Sequence, residues 1–232
     1  MSKTPPTLLV VAKSPVPGEA KTRLAASTGH TVAARIAAAA LIDTVETAAS
    51  LEWPVVIAAT GRLSRATRGD EILAAVSEHR VVPQRGSDFA ARLAAAHHDA
   101  DLGHGVVQVG MDTPHARAQD FAAVADALDS HDAVLGPAED GGWWVLGVRH
   151  AGTAARLAQV PMSRPDTGAR TGEALAADGS TLTYVRRLTD VDTWDDALAV
   201  AALAPNTRMA AEVRAARDRV PTAAGRDPEM AR

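Results

Sequence analysis

The chain contains no cysteine, which removes disulfide frameworks and thiolate chemistry together and fits a reducing cytoplasm. Lysine is scarce: of 24 basic residues, only Lys3, Lys13 and Lys21 are lysines. Long apolar runs are missing as well. The apolar stretch that follows Met1-Ser2-Lys3-Thr4-Pro5-Pro6 is about six residues long, against the ~20 of a membrane span, and no signal core precedes it. A cytoplasmic location is therefore expected, with no membrane span. There is also no excess of basic charge. A net charge of −4 spread over 232 residues lacks the clustered basic face of a nucleic-acid binder, so a small anion is the expected partner. Internal repeats and low-complexity linkers are absent too, and 47% apolar residues are enough for one substantial core. The reading is one domain over residues 1–204, followed by a C-terminal helix and tail over 205–232.

Short β-branched runs alternate with longer alanine-rich stretches, the pattern of an α/β protein with a mostly parallel sheet and helices on both faces. Strands are expected at Thr7–Val11, Pro54–Ala58, Val106–Val109, Ala133–Leu135, Val145–Val148 and Leu182–Val185. Helices are expected at Thr31–Ser50, Ser64–Glu78, Asp88–Ala100, Ala118–Asp129, Thr167–Ala177 and Thr193–Leu203. In the first of these, Val32, Ile36, Ala39, Ala40 and Val45 form one apolar face that suits packing on a sheet. Arg208–Arg219 reads as a further exposed helix, and Pro221–Arg232, without an apolar face, as a frayed end.

The most informative segment runs from Val11 to Leu24, directly after the first strand. It holds Lys13, Lys21 and Arg23 among Pro15, Pro17 and Gly18, which stiffen and bend the backbone. Cations gathered past the C-terminal end of a strand in an open α/β sheet suit a polyphosphate, Arg23 as a bidentate partner and the lysines as point charges. The spacing is neither a Walker loop nor a dinucleotide fingerprint. A solvated basic turn is the alternative.

Three acidic segments follow. Gly110-Met111-Asp112-Thr113-Pro114 places Asp112 at the end of a strand, where a carboxylate facing a cationic loop suits a hard metal ion bridging protein and phosphate oxygens; a turn aspartate bonding its own backbone reads equally well. In Glu139-Asp140-Gly141-Gly142-Trp143-Trp144 the glycines let backbone approach a ligand. There Asp140 can hold a substrate hydroxyl, help bind a metal or act as a base, and the same residues also suit a hairpin turn. Trp143 and Trp144 alternate faces, one for the core and one for the cleft. In Asp190-Val191-Asp192-Thr193 a capping box from Thr193 to Asp196 accounts for Asp195 and Asp196, leaving Asp190 and Asp192 as candidates for a second metal ligand. Asp88 and Arg92, one helical turn apart, fit either an ordinary helix start or a substrate site. His97 and His98 diverge on a helix and receive no role.

Taken in order, Ala12-Lys13-Ser14-Pro15-Val16-Pro17-Gly18 with Lys21-Thr22-Arg23-Leu24, the Asp112 segment, Gly136 to Gly142 and Asp190-Val191-Asp192-Thr193 resemble the bacterial GT-A-like nucleotide-diphospho-sugar transferases. This group of uncharacterised glycosyltransferases is similar, more distantly, to the guanylyltransferases of 2-phospho-lactate and the molybdenum cofactor. The resemblance spans residues 7–203. It implies a single-domain, Rossmann-like GT-A fold in which the first loop (Ala12, Lys13, Pro17, Gly18, Lys21, Arg23) grips nucleotide phosphates. It further implies Mg2+ or Mn2+ on Asp112, with Asp192 preferred over Asp190 as a second ligand, and substrate contacts from Asp88, Arg92, Asp140, Gly141, Gly142 and Trp143. The chain departs from the family at Thr113, where Cys is common, and at Trp143 and Trp144, where Tyr is common; Gln84 to Arg92 corresponds only loosely. The expected activity is metal-dependent glycosyl transfer from a nucleotide sugar to a small acceptor, with Lys21, Arg23, Asp112 and Asp140 as the catalytic set. Nucleotidylyl transfer with pyrophosphate release is the second reading, and a nucleotide-binding module without turnover the third.

Overall fold

A computed structural model describes residues 4–217. Seven strands form one sheet: β1 (Thr7–Lys13), β2 (Val55–Thr60), β3 (Arg80–Pro83), β4 (Val106–Gly110), β5 (Ala133–Pro137), β6 (Trp143–Val148) and β7 (Leu182–Tyr184). Their order is β3-β2-β1-β4-β6-β5-β7. Only β6 runs against its neighbours, pairing antiparallel with both β4 and β5, while the remaining pairs are parallel. This is a mostly parallel, Rossmann-like α/β sheet. Continuous apolar sequence explains the central strands: Leu8, Leu9 and Val10 are fully buried, as a strand covered on both faces requires.

The helices are α1 (Thr22–Thr28), α2 (His30–Ala49), α3 (Gly69–Val76), α4 (Phe89–Ala100), α5 (Ala118–Ala127), α6 (Thr167–Leu175), α7 (Trp194–Leu203) and α8 (Arg208–Arg217). One sheet face carries α2, α3 and α5 through Leu41, Ile72, Phe121 and Val124. The other carries α4, α6 and a 3-10 segment at Ala151–Gln159, through Leu93, Ala96, Leu157 and Leu175.

Three elements lie outside the sequence reading. Thr22–Thr28, read as the end of a loop, is helical. β3 sits at a sheet edge with only Val82 buried, so its apolar pattern is too short to show. The Ala151–Gln159 segment lacks a long apolar period. Ser64–Glu78 also divides, into a 3-10 turn at Leu63–Arg65 and the shorter α3.

The predicted face of α2 also needs correction. Ala37, Ala38, Leu41 and Val45 meet the sheet, whereas Ile36, Ala39 and Ala40 meet α7 and α8 in a separate apolar cluster. The helix expected to be exposed, α8, buries Met209, Ala210 and Val213 there. The Asp43 carboxylate of α2 accepts the backbone N–H groups of Arg208 at 3.1 Å and Met209 at 2.8 Å, capping α8. The expectation for Pro221–Arg232 lies outside the described residues. Among the described residues, no helix is long and apolar enough to cross a membrane.

Candidate active site

The chain passes from β1 to β2 and β3 on one side, then returns to place β4 on the other side of β1. Between β1 and β4 is therefore a topological switch point, where segments leaving neighbouring strands diverge and open a crevice. A cleft of about 910 Å³ lies at this end of the sheet. Its lining comes from the ends of β1, β2 and β4, the start of β6 and the segments after β1, β3, β5, β6 and β7.

At the centre, Lys21 Nζ donates to Asp112 Oδ2 at 2.6 Å and to Asp192 Oδ1 at 2.7 Å. The Arg23 guanidinium pairs with the other oxygen of Asp192. Residues 91 and 171 positions apart from Lys21 thus share one ammonium group. Lys21 sits at the start of α1 in a left-handed conformation, φ 52° and ψ 50°, which turns the chain from the first loop into the helix. The Asp112 position depends on Gly110, because a Cβ there would lie 2.5 Å from Asp112 Oδ1. The Asp192 position depends on α7. Thr193 and Asp196 form the expected capping box, and the Val191 N–H donates to the Asp112 carbonyl at 2.9 Å, tying the two acidic segments together.

Burial alone would lower the pKa of Lys21, but the Asp112 and Asp192 carboxylates more than offset it and raise the value, so the side chain is a fixed cation. Burial would likewise raise Asp192; the Lys21 ammonium and Arg23 hold its pKa below the ordinary value instead. Asp190 differs. Burial, reinforced by the Asp112 carboxylate, pushes it up to about 9, and its Oδ1 is shut off from solvent without a hydrogen-bond partner.

The donor set fits a divalent ion of the magnesium or manganese kind. Two carboxylates converge on a single cation position open to the cleft, their side chains 28% and 21% exposed. Among the described residues, no group of three or more His, Cys, Asp or Glu side chains is placed to hold a metal by itself. Magnesium commonly takes one or two protein carboxylates and completes its shell with water and substrate phosphate; here the Lys21 ammonium stands between the two carboxylates that would bind it.

The family model described as "Uncharacterized protein conserved in bacteria (DUF2064)" matches residues 41–164, more than half of the chain. The chain belongs to the DUF2064 family. No curated protein matches the sequence of this DUF2064 protein. Among solved structures, a Desulfovibrio desulfuricans G20 protein provisionally named a nucleotide-diphospho-sugar transferase is similar, with 24% identity and a TM-score of 0.81 over 91% of this chain and 95% of the other. The 4-diphosphocytidyl-2C-methyl-D-erythritol synthase of Anaerococcus prevotii DSM 20548 matches with 11% identity and a TM-score of 0.58 over 88% and 100% of the two chains. Rv0371c of Mycobacterium tuberculosis H37Rv, solved in complex with manganese, has 19% identity and a TM-score of 0.53 over 86% and 98%. These likenesses establish a shared fold.

Of the residues singled out in the sequence of this DUF2064 protein, Ala12, Lys13, Lys21, Arg23, Arg92, Asp112, Asp140, Gly142, Trp143, Asp190 and Asp192 all line the cleft. Pro17, Gly18, Asp88 and Gly141 do not. Pro17 and Gly18 lie in an exposed turn before Lys21. Asp88 caps α4 by accepting the Ala91 N–H at 2.8 Å. Gly141 has φ 86° and lies so close to Pro165 that a Cβ would sit 1.9 Å from its carbonyl oxygen; it shapes the hairpin between β5 and β6 rather than facing the cleft. Asp140, beside it, accepts the Gly142 N–H at 2.8 Å, so the turn and the cleft wall are one structure. Trp144 is buried and Trp143 faces the cleft.

Gln84, Phe89, Met162 and Arg164, which no motif in the sequence marks as site residues, also line the cleft. Gln84 Nε2 donates to the Ala12 and Ala58 carbonyls, both at 2.9 Å, tying the ends of β1 and β2 to the segment after β3. Arg92 stacks over the Phe89 ring at 5.6 Å. An exposed aromatic at the first position of a helix is the signal that could have pointed to this wall.

Proposed function

We propose that this protein is a transferase acting on a nucleotide that carries at least two phosphates, assisted by Mg2+ or Mn2+. The observation that carries this reading is the meeting of Lys21 with both Asp112 and Asp192 inside one cleft. Asp112 and Asp192 would hold the divalent ion, which when bound supplies positive charge to the leaving diphosphate or pyrophosphate. Lys21 and Arg23 add fixed positive charge beside the same atoms, and Lys13 lines the same wall. Charge pre-placed where a leaving group develops its own lowers the barrier without reorganisation at the moment of reaction. Asp140, which lines the same cleft from the β5–β6 turn, would orient or deprotonate an acceptor hydroxyl.

Glycosyl transfer from a nucleotide-diphospho-sugar to a small acceptor is the leading form of the reaction, supported by the provisional name of the D. desulfuricans protein. Nucleotidylyl transfer is the second form. It is favoured by the three cations Lys13, Lys21 and Arg23 that line the cleft, since a triphosphate carries more charge to compensate than a diphosphate. The test is a melting-temperature screen of nucleoside triphosphates and nucleotide sugars, with and without Mg2+ or Mn2+, followed by measurement of the released product. We expect a metal-dependent rise, because a ligand that binds the native state stabilises it. Nucleoside diphosphate as product identifies the first form and pyrophosphate the second. No shift with any nucleotide removes the whole reading, and a shift without turnover leaves a binding module.

A further inference from the structure

Lys21 does two things that conflict. It is the cation nearest the carboxylates suited to a divalent ion, and it is one of the cations suited to a phosphate chain. With its Nζ 2.6 Å from Asp112 and 2.7 Å from Asp192, the ammonium fills the point where both carboxylates converge. Its side chain is only 12% exposed, so it has little water to turn to if the pair is taken from it. A divalent ion approaching alone would have to displace this buried charge and leave it unpartnered, beside a stronger positive charge. A phosphate chain in the cleft changes the balance by offering the ammonium a new anionic partner. The flexible four-carbon stem of lysine lets the head group move while the backbone, held at the start of α1, stays in place.

We propose that Lys21 competes for the cation position between Asp112 and Asp192 and leaves it only when a phosphate chain gives the ammonium another partner, so that metal and nucleotide binding are coupled through this one side chain. The proposal rests on the reading of Asp112 and Asp192 as the metal pair. Coupling of this kind is reciprocal: whatever factor the nucleotide contributes to metal affinity, the metal contributes to nucleotide affinity. Arg23 provides an internal control. It touches Asp192 alone and its side chain is 65% exposed, so it leaves the convergence point clear.

The experiment is a titration with Mn2+ alone, without nucleotide, following free Mn2+ by electron paramagnetic resonance. The proteins are the parent, Lys21→Met, Lys21→Gln, Arg23→Gln and Asp112→Asn, with circular dichroism to establish folding. Both Lys21 variants should bind Mn2+ at least tenfold more tightly than the parent, and Arg23→Gln should gain markedly less. The glutamine variant keeps the test valid if methionine beside two carboxylates does not fold. Equal or weaker Mn2+ binding in the folded Lys21 variants, with binding abolished in Asp112→Asn, overturns the competition and leaves the metal pair standing. An Arg23→Gln gain as large as that of Lys21→Met also overturns it, since any removed positive charge would then suffice. If Asp112→Asn binds Mn2+ as the parent does, the metal pair itself is wrong and the proposal falls with it.

Discussion

A methyl group on Gly110 would collide with Asp112 Oδ1 at 2.5 Å, and the atom it meets is the end of a side chain that can swing aside. Gly110→Ala should therefore leave the melting temperature within a few degrees of the parent while moving the carboxylate. Misplacing a reacting group by about an ångström lowers rates on the order of 100-fold, so a clear loss of metal-dependent turnover at near-parent stability is expected. Full activity in this variant would mean that the Asp112 position is not critical. The sequence supports Asp112 and a glycine two residues before it, but the reason for that glycine is a distance across a turn, which no pattern of residue types encodes. Asp190 and Asp192 show the same limit. Two positions apart, they read alike in the sequence, yet the fold pairs Asp192 with Lys21 and Arg23 and leaves Asp190 Oδ1 buried without a hydrogen-bond partner.

Capping links several elements to the site. At the end of β7 the chain must deliver Asp192 opposite Asp112, and the Thr193–Asp196 capping box at the start of α7 fixes that delivery. This box was legible because its two residues lie three positions apart. The cap on α8 was not: Asp43 lies 165 positions from Arg208. Asp43→Ala removes the acceptor of two backbone N–H groups at a buried helix start, and a loss of about 1 to 2 kcal/mol in urea unfolding is expected. An unchanged unfolding midpoint would show that α8 does not need the cap. The element boundaries follow the same division. Central strands such as β1 and β4 are short, valine- and leucine-rich stretches that stand out in the sequence, whereas β3, with one buried residue at the sheet edge, depends on β2 being there to pair with.

Across the whole molecule, two buried histidines should each take stability away in mild acid, against the opposite slope that the raised Asp190 carboxyl gives. His97 on α4 is fully buried, with Nε2 2.8 Å from Gln108 Oε1 on β4, and burial lowers its pKa from 6.5 to about 4. The folded state therefore keeps the ring neutral while the unfolded chain protonates it. Its contribution is complete above about pH 6.5 and is lost as the pH falls toward 4, by about 2 kcal/mol at pH 5. Burial, aided by the Arg186 guanidinium, lowers His115 to about 4 as well, with the same sign. Chemical unfolding at pH 7 and pH 5 checks this: His97→Gln should lose less stability than the parent on going from pH 7 to pH 5, and an equal change in the variant would exclude His97 as a source. The apolar alternation of residues that are neighbours in the chain was sufficient to indicate an α/β sheet with strand-end loops, because burial on both faces of a strand or one face of a helix is written locally. It was also sufficient to single out the cationic first loop and the acidic segments. The strand order, the reversed β6, the packing of α8 and the meeting of Lys21 with Asp112 and Asp192 arise from contacts between residues far apart in the chain. Their energies exist only once the sheet has brought those residues together.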